Sequence, residues 1–273
     1  LLINMKNKII FLHIPRTGGT TFRDILERFY HPKNVIEIKK FIESEKIIKT
    51  LTKEEQSKIK LIKGHLNFGI HEWIDGECKY ITFLRDPIKR IISTFKYVKN
   101  NVNHPDHYFV QSISLQKYID SKKNLLLDNG ITRLLLGSKY VFSAPFGTIN
   151  KKHYLMALDN LKNYFAVAGI TERYNESLLV LKNELQWNSP FYSIANKSKN
   201  NNELLESNIN DQTMQCYFYD LKLYNHVNRM LDTKINSIPN FDLKLKKFNL
   251  LNKIIGRLLI NQRLKRLMRR VIR

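Results

Sequence analysis

Unbroken apolar runs alternate along this chain with stretches in which apolar residues recur every three to four positions, the pattern of buried strands separated by amphipathic helices. The runs predict strands over residues 8–14, 61–64, 80–84 and 165–169. The helical spacing predicts helices over 20–30, 87–99, 115–121, 151–163, 175–185 and 211–231. Such alternation points to the α/β class, a parallel sheet flanked by helices. Residues 100–106 read as a polar loop, and 124–150, broken by Asn129-Gly130, Gly137 and Pro145, has no regular period. After residue 240, Leu251, Ile254, Ile255, Leu258 and Leu259 return to helical spacing, continued by Leu264, Leu267, Met268, Val271 and Ile272. The expected organisation is one α/β domain over 1–240 and a basic amphipathic helix or helix pair over 241–273.

The first predicted strand runs directly into Pro15, Arg16, Thr17, Gly18, Gly19, Thr20 and Thr21, and helical spacing starts at Thr20. That is the layout of a phosphate-binding turn. Glycines let backbone approach a ligand, the helix start offers N–H groups and the positive dipole end, and Arg16 adds a fork of charge. The Walker A spacing is absent, and no Lys follows the glycines. The plan recurs at 79–97: an apolar strand, Arg85 at its end, Pro87 at a helix start and Ser93 two turns in. In an open parallel sheet both segments end on the carboxyl edge, so they can face one crevice and hold a ligand with two separated phosphates.

The pair PRTGGTT and RDPIKRIISTF resembles the two cofactor motifs of sulfotransferases that use 3′-phosphoadenosine 5′-phosphosulfate (PAPS), in particular the heparan sulfate 2-O-sulfotransferase-like and bacterial carbohydrate sulfotransferase branch. The resemblance implies a P-loop-NTPase-like parallel sheet, with 1–240 as the sulfotransferase domain. It assigns Arg16, Thr17, Gly18, Gly19, Thr20 and Thr21 to the 5′-phosphosulfate, and Arg85 and Ser93 to the 3′-phosphate. The Lys63-Gly64-His65 segment, with Phe68, Gly69 and His71, is similar to the family segment that carries the catalytic base. Residues 167–179 with Trp187, and Asn196-Lys197-Ser198, correspond to a late region that returns to the cofactor, which makes Lys197 and Ser198 cofactor-binding candidates. Most relatives carry Lys where this chain has Arg16, and the heparan enzyme has a second His where this chain has Lys63.

Chemistry independent of the resemblance selects similar residues. Sulfuryl transfer to an alcohol needs an attacking oxygen in line with the leaving phosphate, a base for its proton, and positive charge at the leaving group. No metal is required. His65 is the best base, since an imidazole with pKa near 6.5 is neutral at pH 7; Arg16, which the resemblance puts at the phosphosulfate, is the other catalytic candidate. His71 and Arg133 are expected as acceptor contacts, whereas His13, inside the first strand, is expected in the core. Tyr108 and Lys139 are further surface candidates. His104 and His107 lack a third metal ligand, Cys78 and Cys216 form no CxxC pair, and no DxD pair of the kind used by nucleotide-sugar enzymes is present.

Composition adds a partner class. The 273 residues include 46 Lys and Arg against 24 Asp and Glu, a net charge of +22, which favours anionic partners. Residues 241–273 hold eleven of those cations and one acid, Asp242. Their apolar stripe suits packing on the domain or on a second subunit, an anionic membrane surface, or a polyanionic acceptor. No secretory signal or membrane span is read from the sequence, so the expected location is cytoplasmic, with peripheral contact on the inner face of the membrane. The leading expectation is a PAPS-dependent sulfotransferase acting on a carbohydrate hydroxyl, with anionic and lipid-linked glycans both suitable and no specific nucleic acid partner. The competing classes are a nucleotide-dependent kinase on a related fold and a nonenzymatic polyanion- or membrane-binding protein.

Overall fold

Strand β1 (Lys8–Leu12) is a run of Ile9, Ile10, Phe11 and Leu12, all buried, so both of its faces are covered and it lies inside the sheet. In the computed structural model, which describes residues 7–193 and 211–271, it pairs in parallel with β3 (Leu61–Gly64) and β4 (Cys78–Leu84). Among the described residues β2 (Val35–Ile38) and β5 (Phe165–Ile170) complete a five-stranded parallel sheet of order β2-β3-β1-β4-β5. β2 is absent from the strands expected from the sequence, because only Ile38 of its four residues is buried. The other four strands were all expected, since each is an apolar run.

The order has a functional consequence. After β1 the chain builds one side of the sheet with β2 and β3, then crosses to the other side for β4 and β5. The direction of winding thus changes around β1, and the crevice at the carboxyl ends of β3, β1 and β4 is where an α/β sheet binds ligands.

Helices cover the sheet. α1 (Gly19–Phe29) follows β1 and buries Phe22, Ile25 and Leu26. α2 (Pro87–Asn100) follows β4, with Pro87 at its start and the Asp86 carboxylate accepting from the Lys89 N–H at 2.9 Å. Its buried Ile91, Ile92, Phe95 and Val98 form a second apolar cluster with Val110, Leu115 and Tyr118. α3 (Gly130–Leu136) crosses the segment for which the sequence shows no period, and all seven of its residues are buried. α4 (Lys151–Tyr164), α5 (Tyr174–Glu184) and α6 (Phe218–Asn236) pack around α3 and β5. The helix expected over 211–231 is two elements, Asp211–Met214 and α6.

Buried charge joins these helices. Asp220 of α6 accepts the N–H groups of Ile131 and Thr132 at 3.0 and 2.8 Å and the Thr132 hydroxyl at 2.9 Å, and it lies 3.5 Å from Arg90 of α2. One carboxylate therefore caps α3 and neutralises a buried guanidinium. The final helix, α7 (Phe241–Val271), packs its first half against α5: Phe248 is 3% exposed and Asn249 bonds Asn175 at 2.6 Å.

Candidate active site

Three consecutive strand ends in the middle of the sheet deliver the candidate residues: β3 is followed by His65, β1 by His13 and the Arg16 to Thr21 loop, and β4 by Arg85. Arg16 has φ +70 and Gly18 φ +81. A left-handed Arg costs roughly 1–2 kcal/mol, and its surroundings hold it there. Its Nε donates to Ser93 Oγ at 3.0 Å, its carbonyl accepts from Arg85 Nη1 at 3.2 Å, and its guanidinium sits 4.9 Å from the centre of the Tyr97 ring. The Thr17 hydroxyl donates to the Ile14 carbonyl at 2.8 Å. The Thr171 hydroxyl, just after β5, lies 2.9 Å from the carbonyls of both Thr17 and Leu84, tying the loop to the end of β4. The late segment singled out in the sequence thus does reach this loop.

Arg16, Arg85 and Ser93 are therefore brought together. Among the described residues no carboxylate pairs with Arg16, and Arg85 has only Glu172 at 3.9 Å. Burial and the neighbouring Arg85 push Arg16 below the usual guanidinium range. Two cations held in contact distance of one turn, beside the N–H groups of Gly19 and Thr20 at the start of α1, make a site that an anion relieves.

A pocket of about 280 Å³ adjoins this turn. Gly19, Thr20, His13 and His65 line it, together with Arg23, Glu37, Lys39 and Lys63. His65 is positioned from behind: Gly64 has φ +131, and a Cβ on it would stand 2.0 Å from the Ile38 carbonyl oxygen, to which the His65 N–H donates at 2.9 Å. The His65 ring stacks on His13 at 4.8 Å, and among the described residues its buried Nδ1 has no hydrogen-bond partner. Burial lowers the pKa of His65, and a hydrogen bond to the His13 backbone opposes the shift. His65 is thus neutral at pH 7, with an imidazole able to accept a proton.

His13, expected in the core, instead lines the pocket. Its Nε2 sits 1.9 Å from where a Cβ of residue 19 would stand, so the ring rests on the turn at the start of α1. Burial, with His65 and then Arg23 and Arg16 nearby, pushes it down to about 3. The signal in the sequence was its place at the last step before the loop rather than inside the strand. Arg23 and Glu37 were also missed; Arg23 lies one turn beyond Gly19 and so shares its helix face. Lys63 is buried and donates to Glu27 at 2.8 Å.

Two expected acceptor contacts are not brought to this group. Arg133 is fully buried, and all five of its N–H donors are used by Asp128, through carboxylate and carbonyl, and by the carbonyls of Tyr140, Ala144 and Pro145. It clamps the 128–145 segment and has no donor left for a sugar. The His71 Nδ1 lies 3.0 Å from the Tyr80 hydroxyl, and the ring packs on Phe68 and Tyr164, away from the strand ends. Lys197 and Ser198 lie outside the described residues. Tyr108 is exposed. His107 is bonded to the Val98 carbonyl, and among the described residues no group of three or more His, Cys, Asp or Glu could hold a metal ion.

The structure thus sets a cationic strand-end turn beside a neutral histidine, and comparison with known proteins gives the family. The model of the galactose-3-O-sulfotransferase family matches residues 3–246, and the chain belongs to that family of sulfotransferases. The match is to the galactose-3-O family and not to the heparan sulfate 2-O-like branch that the motifs resemble. No curated protein matches the chain. Among solved structures, the crystal structure of mouse sulfotransferase SULT7A1 complexed with PAP is similar at 16% identity and a TM-score of 0.43, over 90% of this chain and 89% of that one.

Proposed function

We propose that the chain moves a sulfuryl group from PAPS to a hydroxyl of a carbohydrate acceptor, on a sheet of P-loop-NTPase type, with His65 as the general base. The observation that carries this reading is the adjacency of a cationic turn, Arg16 with Arg85 and Ser93, to a pocket lined by a neutral His65 whose Nδ1 has no hydrogen-bond partner among the described residues. The residues fit the donor. Two guanidiniums, of which Arg16 has no carboxylate partner among the described residues and Arg85 only Glu172 at 3.9 Å, suit a ligand with two phosphate groups when joined by a serine hydroxyl and a helix start. Arg16, Thr17 to Thr21 and the α1 start would hold the 5′-phosphosulfate, and Arg85 with Ser93 the 3′-phosphate.

When bound, the donor supplies an activated sulfuryl group. Arg16 supplies positive charge close to the start of α1, where leaving-group charge would develop. His65 takes the proton of the acceptor hydroxyl, a contribution of about 100- to 10,000-fold in rate. Arg23 and Lys39, which line the same pocket, suit an acceptor that carries negative charge as well as hydroxyls. The test is transfer of radiolabelled sulfate from PAPS to a panel of galactosides and uronic acid-containing oligosaccharides. Product with at least one sugar, lost in His65→Ala while donor binding persists, supports the assignment; equal rates in His65→Ala and wild type remove His65 from it.

A further inference from the structure

Over residues 241–260 helix α7 has two apolar sides, and only one of them meets the domain. Phe241 and Phe248 are buried, Asn252 accepts the Tyr192 N–H at 2.7 Å, and Gly256 is tight against the Tyr192 carbonyl, 2.7 Å from where a Cβ would stand. At about 100° per residue these positions share one side. Leu243, Leu250, Ile254 and Leu258 fall on the opposite side and are 57% to 66% exposed. Lys246, Lys253 and Arg257 follow one edge of that outer stripe, Lys244 follows the other, and Lys247 lies within it between Ile254 and Leu258. The single acid in 241–260 is Asp242.

We propose that this outer face docks the protein on an anionic lipid bilayer. Hydrocarbon would take the four apolar side chains, and lipid phosphates would take the flanking cations, which reach them along their aliphatic stems. A second copy of the helix fits less well: it would set five cations against five and bury lysines in the seam at the positions between the leucines. A polyanionic glycan would meet the charge and leave the apolar stripe in water. No helix among the described residues is long and apolar enough to cross a membrane, and the contact proposed is peripheral.

The experiment is flotation of the full chain with phosphatidylcholine vesicles, with and without phosphatidylglycerol. The wild type is expected to float only with the anionic vesicles, and less so as salt is raised. Leu250→Ser/Ile254→Ser/Leu258→Ser changes exposed positions and keeps every charge; it should keep the wild-type melting temperature and heparin retention and lose at least about tenfold in vesicle partitioning. Failure of the wild type to float with anionic vesicles overturns the proposal. So does a triple variant that floats as well as wild type, or a wild-type dimer in sedimentation that the triple variant dissolves.

Discussion

Replacing Gly19 by Ala sets two effects against each other. Gly19 is the first residue of α1, and its φ is not in the left-handed region. On helix propensity alone, Ala there should stabilise the protein by up to about 1 kcal/mol. The new methyl, however, would stand 1.9 Å from His13 Nε2 and 2.0 Å from its Cδ2, against the roughly 3.5–4.0 Å of an ordinary contact. The ring would have to retreat by more than an ångström, and Phe11 at 5.5 Å and His65 at 4.8 Å stack on it. Overpacking of this kind costs about 1–3 kcal/mol, so the net effect is destabilising by a fall of several degrees in Tm. In a His13→Ala background the clash is gone and the same change should be neutral or stabilising. Urea and thermal unfolding of the four proteins in the cycle measure the coupling. A higher Tm for Gly19→Ala in the wild-type background, or the same shift in both backgrounds, would refute the steric account of this loop.

Arg133→Leu should cost about 3–5 kcal/mol, because it strands the buried Asp128 carboxylate and several carbonyls; a urea midpoint within experimental error of wild type would contradict the clamp. The pKa of His65 is lowered, so its deprotonated, base-competent form persists below pH 6.5, and kcat/KM should fall only as pH drops through that lowered value. An acid limb centred at or above 6.5 would show that another group is titrating. Ending the chain at residue 240 removes Phe241 and Phe248 from the interior, at about 3–5 kcal/mol for each aromatic lost; a truncated protein with unchanged Tm would show that the first half of α7 adds nothing to the domain.

What was legible in the sequence follows from burial. β1, β3, β4 and β5 are apolar runs covered on both faces, and such runs announce themselves. β2 has one buried residue and a Glu at its centre, so pairing with β3 decides its conformation rather than its own pattern. α3 was hidden for the opposite reason: a short helix buried on every side has no polar face and no period. Arg133 looked like a surface contact because arginine is seldom buried, and its saturation by four carbonyls and a carboxylate is a tertiary fact. At the site, the loop, Arg85 and Ser93 could be found from motif order, and the structure puts them in contact. The stacking of His13 on His65, and the charged residues contributed by β2 and α1 to the pocket, depend on strand order, which no local pattern encodes.

The most direct test of the central claim is a calorimetric titration of the purified protein with 3′-phosphoadenosine 5′-phosphate, beside the Arg85→Ala variant. Loss of a charge-assisted bond worth about 1.5–3 kcal/mol should weaken binding roughly ten- to a hundredfold in the variant, while its Tm without ligand stays close to wild type. Absence of binding by the wild type, or equal affinity in the two proteins, would contradict a phosphate site built from the ends of β1 and β4.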